Sequence, residues 1–598
     1  MGKQETFGFI LIAAVLMAWM YFTSPQRQPV QDKNIVPQEL ANDSVAQKTE
    51  PEQPASRPAE NQPPPTAPSL DSLGKYFSGA ATGKEKTFTI ETDDYIAELS
   101  SKGGNIKKWT LKNYKTWDLH PVQLVNGGGD FNLLFSTSDG KLINTKELYF
   151  DVQAPIGGKA VLTGDDQLVV SFVLNAGGGT ITKKLTFKNS TYDFDAEVSL
   201  NRLQQVIANY EYQVLWENSI RYCEYNSVDE SNSAAAYTFG GGELKEINAS
   251  SAGETVKAEP SGATDWVAIR NKYFAVALLS EDKKANGAYL EGEHIPADNN
   301  GVVEAYSVAI KYQYTTDNET SKLKVFIGPL SFSIIKGYDR GLDHIMTLGW
   351  SWIRPITEYL FIPLFHFLHT FISNYGLVII IFSIIIKLVL HPLTKTSMRS
   401  MRNMQKLQPM MAELKEKYKN DAQQLNIQTM KLYKDYGINP AGGCLPMLLQ
   451  LPILYALYSL FSASIELRHA PFVGWIKDLS VPDVLVTLPF TLPLLGNYLS
   501  GLTLAMGITM FVQQKQTVTD PTQKAMIWMM PIMMTIMFNH FPSGLNLYYF
   551  VFNILSIGQQ YYFNKIHSSE PLKKIPEGKR KSGFMEKLTK NLPKPPQK

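Results

Sequence analysis

Residues 374–392 read Asn374-Tyr-Gly-Leu-Val-Ile-Ile-Ile-Phe-Ser-Ile-Ile-Ile-Lys387-Leu-Val-Leu-His391-Pro392, and one lysine interrupts this apolar run. A run of this length and hydropathy is typical of a membrane-spanning helix. An ammonium group inside a bilayer costs roughly 2.5–3.5 kcal/mol at the helix centre, so the default interpretation of such a residue is a functional one. The stretch therefore predicts a span that carries a functional cation at Lys387.

Lys387 has a second interpretation, in which its long side chain reaches the membrane surface. It lies eight residues before Lys395, about 12 Å along a helix, and is therefore neither at the bilayer midplane nor at its surface. Helical side chains lean toward the N-terminus of their helix. If the run enters the membrane from outside the cytoplasm, Lys387 points deeper into the bilayer, and this direction favours a buried polar site.

Apolar residues are unevenly distributed along the 598-residue chain, although its hydrophobic content of 44% and formal net charge of +2 are ordinary. Residues 7–22 and several runs after Leu360 are lipid-like, whereas the region between them alternates like a soluble β protein. The pattern predicts a multi-domain fold, with a polytopic α-helical membrane core and a soluble all-β insert. The two cysteines, Cys223 and Cys444, fall in segments expected on different sides of the membrane, so we expect no structural disulfide.

The N-terminal region contains a membrane anchor followed by a polar tether. The apolar run 7–22 follows a lysine, and the residues after it offer no small-residue cleavage site, which predicts an uncleaved signal anchor over residues 1–23. Residues 24–75 are rich in Pro, Gln, Glu, Asn and Ser and contain almost no large apolar residues. Such a composition cannot offset the entropy of ordering, so we predict a disordered tether.

Residues 76–330 have the period-two alternation of β-strands, as in 181–187 and 194–200, with glycine triplets between strands. About 250 residues in this pattern predict one large β-sandwich of antiparallel strands. Residues 266–277 predict a core strand. His120 and His294 are isolated in the sequence, with no carboxylate–histidine spacing, so we expect no enzymatic site in this domain.

Residues 331–375 predict interfacial helices, because the tryptophans Trp350 and Trp352 and the amphipathic segment after them suit a membrane surface. His366 and His369 are three residues apart and face one way. Without a third ligand, an interfacial polar face is favoured over a metal site. We expect no metal or cofactor, and the absence of a P-loop motif disfavours an ATP-driven pump.

Residues 395–443 predict a basic helical hairpin. Apolar residues recur at intervals of three and four opposite a lysine- and arginine-rich face, the first helix breaks at residues 420–421, and Gly437 ends the second. The methionines either pack the two helices together or offer a pliable surface to lipid, ribosomal RNA or a nascent segment. The residues expected to make such contacts are Arg399, Met401, Arg402, Lys406 and Met410.

The chain contains six predicted spans, five of which form a core over residues 376–565. Residues 484–498 are interrupted by prolines and a glycine, and we predict that they form a bent lead-in lying at the membrane interface. The predicted spans are 7–22, 376–393, 447–461, 499–514, 525–541 and 545–563.

Basic residues predict the orientation of these spans. The hairpin, the loop between Lys515 and Lys524, and the tail 566–598 are all basic, and six spans place all three on the side of the N-terminus. We predict that this side is the cytoplasm, with both termini in it, and that the β domain lies in the periplasm of an inner membrane. Lys387 then points inward, as the buried-site interpretation requires.

The region after Lys387 closely resembles the YidC/Oxa/Alb family of membrane protein insertases. The anchor, the tether and the β domain resemble the Gram-negative YidC arrangement, whose periplasmic domain has a β-supersandwich fold of the sugar-mutarotase type without known sugar chemistry. The stretches that carry the resemblance over about 355–565 are His391-Pro392-Leu393-Thr394-Lys395, Asn439-Pro440-Ala-Gly442-Gly443-Cys444-Leu-Pro446, Leu449-Gln450-Leu-Pro452-Ile453, Asp520-Pro521-Thr-Gln523-Lys524 and Phe541-Pro542-Ser543-Gly544-Leu545-Asn-Leu-Tyr548-Tyr549.

The resemblance implies a five-helix core around a polar groove that opens to the cytoplasm and to lipid and is closed toward the periplasm. The family's groove cation falls on Lys387, the polar position one turn earlier on Ser383, and a glutamine of the next span on Gln450. Arginine is usual at the cation position, whereas lysine can lose its proton and presents a point charge, so we do not expect strict dependence on a guanidinium.

The expected groove includes residues of the later spans as well. Two glutamines there are equally well interpreted as interfacial anchors or interhelical hydrogen-bonding groups. The complete set of expected groove residues is Lys387, Ser383, Gln450, Gln513, Gln514, Tyr548 and Tyr549.

The predicted function is a non-enzymatic insertase and chaperone that helps hydrophobic segments of new proteins to enter the inner membrane through the groove, alone or with the Sec translocon. The expected partners are nascent membrane proteins, the Sec translocon, the ribosome through the tail and hairpin, the signal recognition particle with its receptor, and membrane lipids. Two other classes remain open. A secondary transporter or channel is disfavoured because no repeat is visible in the sequence. A membrane-anchored carbohydrate-binding β protein is distinguished from an insertase by deleting the β domain, because insertion that survives the deletion would show that this domain is not the working part.

Overall fold

The computed structural model describes residues 73–154, 158–281, 285–298, 301–438, 445–492, 494–517 and 524–566, together with Leu572 and Lys574. The predicted signal anchor, most of the tether, the turn at 439–444 and nearly all of the basic tail lie outside the described residues. The chain divides into two compact units. One contains the strands up to Pro329 together with Lys336–Ile345, and the other contains Leu330–Ile335 and the helices from Met346 onward.

The first unit is rich in β-strands and includes two short helices, α1 (Gly74–Phe77) and α2 (Ser227–Ser231). Short 3₁₀ turns occupy Ser78–Ala80, Thr145–Glu147, Ala208–Tyr210 and Leu342–Ile345. The strands are β1 (Thr87–Glu91), β2 (Tyr95–Ser100), β3 (Asn105–Lys115), β4 (Pro121–Gln123), β5 (Asn132–Ser136), β6 (Leu142–Asn144), β7 (Asp151–Gln153), β8 (Lys159–Val161), β9 (Gln167–Ala176), β10 (Gly179–Lys188), β11 (Asp193–Asn201), β12 (Glu211–Trp216), β13 (Ala235–Gly240), β14 (Glu243–Ile247), β15 (Thr255–Ala258), β16 (Ser261–Thr264), β17 (Trp266–Arg270), β18 (Phe274–Ser280), β19 (Ala285–Ala297), β20 (Gly301–Gln313) and β21 (Asn318–Pro329).

These strands form three sheets. The largest has the order β14-β13-β17-β18-β21-β11-β10-β9-β7, the second has the order β15-β19-β20-β12-β5-β6 with β16 paired to β19, and the third has the order β4-β3-β2-β1-β8. Among the described strands of this unit the pairing is antiparallel, except that β1 and β8 run parallel. The all-β sandwich predicted from the sequence is confirmed, with this one departure from antiparallel order.

Strict alternation of side chains explains how these sheets bury a core. Buried and half-exposed residues alternate along the whole of β10, and its antiparallel partner β11 has the same alternation over most of its length. Successive side chains of a strand point to opposite faces, so each of these strands presents one apolar face to the interior. Trp109, Trp216 and Trp266 are fully buried in the core that results.

The predicted single core strand at 266–277 is wrong, because the segment forms two strands, β17 and β18, joined by a tight turn. The Asn271 side-chain oxygen accepts hydrogen bonds from the backbone N–H groups of Tyr273 at 3.2 Å and Phe274 at 2.8 Å. An asparagine side chain therefore supplies the turn without glycine or proline. Every residue of both strands is buried, and the chain reverses at the polar residues Asn271 and Lys272 between them, which the prediction of a single strand ignored.

Beyond Pro329 the chain is mainly helical, with a π-helical turn at Thr357–Phe361, a 3₁₀ turn at Ile465–Leu467 and one β-hairpin. The helices are α3 (Phe332–Lys336), α4 (Arg354–Ile356), α5 (Ile362–Phe371), α6 (Tyr375–Val389), α7 (His391–Lys417), α8 (Ala422–Asp435), α9 (Leu445–Ala463), α10 (Gly501–Thr517), α11 (Lys524–Phe538) and α12 (Ser543–Ile566), and the hairpin strands are β22 (Val484–Leu492) and β23 (Gly496–Ser500).

The Asn374 side chain caps the start of α6 by accepting a hydrogen bond from the Leu377 N–H at 3.1 Å. At the other end of α6 a sharp bend separates this helix from α7, and the local sequence accounts for the bend. Pro392 occupies the first turn of α7, a position where a missing N–H leaves no partner unsatisfied, so a new helix begins there. Considering only the described residues, no single helix is long and apolar enough to cross a membrane, whereas α6 and α7, bent by 64°, meet that criterion as a pair.

Residues 484–498 form most of a β-hairpin, and the predicted bent lead-in is corrected accordingly. β22 pairs antiparallel with β23, and the register shifts between Thr487 and Leu492, around Pro489, which has no N–H to donate to a partner strand. The helix that follows begins at Gly501, so the span predicted at 499–514 overlaps the end of β23. Valine, threonine and phenylalanine favour strands, and apolar content alone does not separate a strand from a membrane helix.

Candidate functional site

Lys387 lies on α6 against α12, and its side chain is buried. The residue is only 8% exposed. Its ammonium nitrogen donates a hydrogen bond to the Ser556 hydroxyl oxygen at 2.5 Å and lies 4.0 Å from the centre of the Phe552 ring. The Ser556 hydroxyl in turn donates to the Phe552 carbonyl at 2.7 Å, so its own proton is engaged and its lone pairs face the lysine. Two residues of one helix therefore hold the cation.

Both partners of Lys387 are neutral. Among the described residues, no carboxylate lies within ion-pair distance of its nitrogen, and Ser556 supplies the only hydrogen-bond acceptor. An ammonium group has three protons to donate, so two remain for water or for a ligand. A hydroxyl and an aromatic face stabilise a cation without cancelling its charge, so neither partner neutralises the ammonium group.

Ser383 lies one helical turn before Lys387 on the same face of α6 and is fully buried. Its hydroxyl donates to the Ile379 carbonyl of its own helix at 2.6 Å. Among the described residues, no hydrogen bond joins Ser383 to Lys387. The structure therefore places this predicted groove residue beside the cation, with its proton already used.

The sequence analysis identified only Tyr549 of a polar stripe on α12 and missed its other four residues. Asn546, Tyr549, Asn553, Ser556 and Gln560 recur at alternating intervals of three and four, which places them on one helix face. All except the half-buried Tyr549 are buried. The Asn553 amide nitrogen has no hydrogen-bond partner among the described residues. Periodicity of polar residues inside an apolar run was the signal that could have identified them.

The predicted tyrosines lie on the same helix. Tyr548 is fully buried, its ring is 5.9 Å from that of Phe552, and its hydroxyl has no partner in the described part of the chain. Tyr549 is half-buried and packs against Phe538, with the ring centres 5.3 Å apart. Tyr548 therefore contacts the ring that faces the lysine, whereas Tyr549 contacts α11.

The predicted glutamines are more distant members of the same helical unit. Gln450 lies on α9 and is half-buried, as are Gln513 and Gln514 near the end of α10. No hydrogen bond between described residues joins any of the three to Lys387. The end of α10 contacts α7 instead, where the Gln405 amide donates to the Gln516 carbonyl at 3.2 Å.

At the opposite end of the helices, Asp483 fastens several elements together. Its carboxylate accepts hydrogen bonds from the Leu502 N–H at 2.7 Å, from the Trp475 indole N–H at 2.9 Å and from the Ser500 hydroxyl. Charged acceptors make stronger hydrogen bonds than neutral ones. The start of α10 is thereby joined to the chain that precedes β22.

The start of α12 is joined to the same region by backbone contacts. The Ser543 and Gly544 N–H groups donate to the carbonyls of Val481 and Leu479, each at 2.9 Å. A Cβ atom at Gly544 would lie 3.1 Å from the Leu479 carbonyl oxygen, so glycine permits this close approach. The Asn546 amide donates to the Thr503 hydroxyl at 2.9 Å and joins α12 to α10. This end of the helices is closed by hydrogen bonds.

The helical hairpin formed by α7 and α8 differs from the sequence expectation at Arg402. This residue is 6% exposed and so does not belong to an exposed basic face, whereas Arg399 is exposed and Lys406 is half-buried. Met401 is half-buried, and Met410 accepts a hydrogen bond from the Tyr436 hydroxyl at 3.6 Å. A cluster of apolar side chains holds the two helices together and contains Met404, Leu407, Met410, Met411, Leu432, Tyr433, Tyr436, Ile438 and Leu572.

His120 and His294 of the β unit are not isolated, contrary to the sequence interpretation. His294 and Glu304 are directly opposed on β19 and β20, with Nδ1 3.5 Å from a carboxylate oxygen. His120 lies 3.0 Å from the Asp118 carboxylate. Strand pairing brings the first pair together across ten residues of sequence, so spacing alone could not reveal it. The His294 Nδ1 also contacts the Ala249 carbonyl at 3.0 Å, and in the described residues no group of three potential ligands could hold a metal ion.

Comparisons with known proteins agree along nearly the whole chain. Residues 87–363 match a family model described as the YidC periplasmic domain, and residues 367–570 match one described as the 60Kd inner membrane protein. The chain is 37% identical to the membrane protein insertase YidC of Chlorobaculum parvum, over 95% of this chain and 96% of the relative. It is 38% identical to the protein of that name from Chlorobium limicola, over 96% of each.

A solved structure of an active YidC insertase with its first transmembrane domain resolved aligns with 80% of this chain and 93% of its own, at 20% identity and a TM-score of 0.35. The helical unit with its buried cation and the all-β unit before it are those of an inner-membrane protein insertase with a periplasmic domain. The chain belongs to the YidC family of membrane protein insertases.

Proposed function

We propose that Lys387 is the cation with which this insertase receives the polar, acidic end of a substrate segment during insertion. The observation that carries the proposal is the pairing of a buried ammonium with a neutral hydroxyl and an aromatic ring. An ion pair with a carboxylate of the protein would have neutralised the charge of Lys387. This arrangement leaves the charge available to a visiting carboxylate.

The physical problem is the transfer of a hydrophilic segment across a hydrocarbon layer roughly 30 Å thick. A polar groove that reaches partway into the bilayer shortens the hydrocarbon path that the segment must cross. At 4 Å, two opposite unit charges attract by about 4 kcal/mol when the effective dielectric constant is near 20. An attraction of that size offsets part of the cost of desolvating the substrate, and the substrate's apolar surface then partitions into lipid.

The remaining groove residues have supporting roles in the proposal. The amide nitrogen of Asn553, which has no hydrogen-bond partner in the described part of the chain, is a buried donor one turn from Ser556, and it can bind a substrate carbonyl or a water molecule. The hydrogen-bonded end at Asp483 closes the groove on the side away from the helical hairpin. The groove is completed by Ser383, Gln450, Gln513, Gln514, Tyr548 and Tyr549.

The proposed topology has six spans, with α6 and α9 to α12 as the core and residues 7–22 as the anchor. Both termini and the helical hairpin then lie in the cytoplasm, because the basic loops share one side. Nascent membrane proteins are the substrates. The proposed partners are the Sec translocon, the ribosome through the hairpin and the basic tail, the signal recognition particle with its receptor, and anionic lipid.

Replacement of Lys387 tests the proposed function. In a host depleted of its own insertase, the wild-type chain and Lys387→Arg should restore membrane insertion equally, because both carry a positive charge. Lys387→Ala should restore it partly, and Lys387→Glu should fail. Lys245→Glu, at an exposed position on β14, controls for the effect of charge reversal on expression. Full activity of Lys387→Glu would exclude charge attraction.

A further inference from the structure

In the β-hairpin formed by β22 and β23, the strand β22 is uncovered on both faces, whereas β23 is mostly half-buried. Every residue of β22 is exposed or half-exposed, although side chains of one strand point alternately to two sides. Leu485 is 47% exposed, Phe490 58% and Leu494 74%. A two-stranded hairpin with no covered face is marginal in water. The described residues of this chain do not bury it.

Charge is absent from the same segment. Residues 484–500 contain no Asp, Glu, Lys or Arg. Soluble proteins usually protect an exposed strand edge with charged side chains, because an apolar edge in water pairs with other chains. An uncharged, apolar hairpin in which the outer edge of β22 pairs with no other described strand is therefore suited to a non-aqueous neighbour.

The hairpin is fixed at the ends of two helices. The Asn539 amide donates to the carbonyls of Leu495 at 3.0 Å and Tyr498 at 2.9 Å, and its oxygen accepts from the Ser500 N–H at 2.9 Å. His540 contacts the Leu494 carbonyl at 3.1 Å. These contacts hold β23 and the turn before it where α11 ends and α10 begins. In a membrane protein, helix ends of this kind mark the boundary of the bilayer.

We propose that the β22–β23 hairpin rests in the membrane interface and contacts lipid acyl chains through Leu485, Phe490 and Leu494. Exposed apolar residues also lie on the adjoining helices, with Ile508 on α10 66% exposed and Ile532 on α11 56% exposed. The open edge of β22 excludes a deeper position, because unpaired backbone groups in hydrocarbon cost several kcal/mol each, whereas headgroups and water can satisfy them.

A fluorescent probe on the hairpin tests this position. The full chain with Cys444→Ser and Phe490→Cys is labelled with an environment-sensitive dye and placed in phosphatidylethanolamine–phosphatidylglycerol vesicles, where lipids brominated on their acyl chains should quench the probe several-fold more than iodide in the buffer does. Cys223 is 2% exposed and remains unlabelled. Leu142→Cys, at a 64% exposed leucine on β6, is the matched control and should show the opposite preference.

A second labelled position, Leu485→Cys, keeps the test valid if Phe490→Cys fails to fold. Iodide quenching at both hairpin positions equal to that at position 142 would overturn the proposal. Shielding that appears only when other membrane proteins are present would also overturn it, and would assign the hairpin to a protein partner. The probe reports the position of the hairpin relative to lipid and water, and not the insertion of substrate proteins. Its result is therefore independent of the role proposed for Lys387.

Discussion

Lys387 is held by a hydroxyl and an aromatic ring, and these two contacts are the basis of its proposed role. An acidic partner would bind the ammonium more strongly and would also compete with a substrate carboxylate. Ser556 stabilises the cation and leaves its charge unbalanced. The sequence predicts a functional cation at this position, but it does not identify Ser556 or Phe552, because their contacts depend on how α6 packs against α12.

Substitution of Ser556 separates stability from function. Ser556→Asp should form an ion pair with Lys387, so the protein should remain folded while insertion of acidic substrates falls about tenfold, equivalent to about 1.4 kcal/mol. Ser556→Asn has nearly the same size without the charge and is the matched control. Insertion in reconstituted vesicles and thermal unfolding are measured together. Equal insertion by the Asp and Asn variants would show that the free charge is not used.

Asp130 in the β unit predicts a pH dependence of stability. This residue is fully buried, one of its oxygens accepts from the N–H groups of Glu217 at 2.8 Å and Asn218 at 3.1 Å, and the other has no partner in the described residues. Burial raises the pKa of Asp130 to about 7. Between about pH 4 and pH 7 the folded protein keeps a proton that the unfolded chain releases, so the stability contributed by this group is lost as the pH rises.

The change amounts to about 1.4 kcal/mol per pH unit, with a ceiling of about 4 kcal/mol over the interval. Asp130→Asn removes the titrating proton and keeps the accepting oxygen. The difference in unfolding free energy between variant and wild type should therefore grow in favour of the variant from pH 4 to pH 7, measured on the full chain by denaturant titration. A difference that does not change with pH would contradict this assignment.

Among the structural elements, those with regular periodicity could be predicted from sequence and those built by side-chain contacts could not. The alternation of β10 and β11 gives their faces directly. The turn between β17 and β18 depends on one asparagine side chain, and the β22–β23 hairpin occupies a segment whose apolar content also fits a helix. The polar stripe on α12 was readable as a periodicity, but its partner residues were not.

The hydrogen bonds accepted by Asp483 should make a large contribution to the stability of the closed end of the helices. Asp483→Ala leaves the buried Leu502 N–H and Ser500 hydroxyl without their acceptor, and each such loss costs roughly 1–3 kcal/mol. We expect a clearly lower unfolding temperature in detergent. Asp421→Ala removes an exposed helix cap, which accepts from the Gln424 N–H at 2.9 Å, and should cost only about 1 kcal/mol. Equal effects of the two substitutions would contradict the account of a hydrogen-bonded closure.

For the whole molecule, family membership explains the order of the parts better than either unit alone. The all-β unit has many unrelated functional possibilities, since a sandwich fold does not decide function. The helical unit carries the buried cation, and both units match the insertase family in sequence order. The alternatives of a transporter and of a carbohydrate-binding protein therefore lose their support. What remains to be tested is the proposed electrostatic attraction between Lys387 and an acidic substrate segment.

A charge exchange between insertase and substrate tests that claim most directly. Wild type and Lys387→Glu are reconstituted in vesicles, and protection of the translocated segment from protease is measured for a substrate carrying an aspartate there and for the same substrate carrying a lysine. If charge attraction drives insertion, Lys387→Glu should lose about tenfold in insertion of the acidic substrate, about 1.4 kcal/mol, and should recover at least part of that loss with the basic one. Equal losses for the two substrates would contradict it.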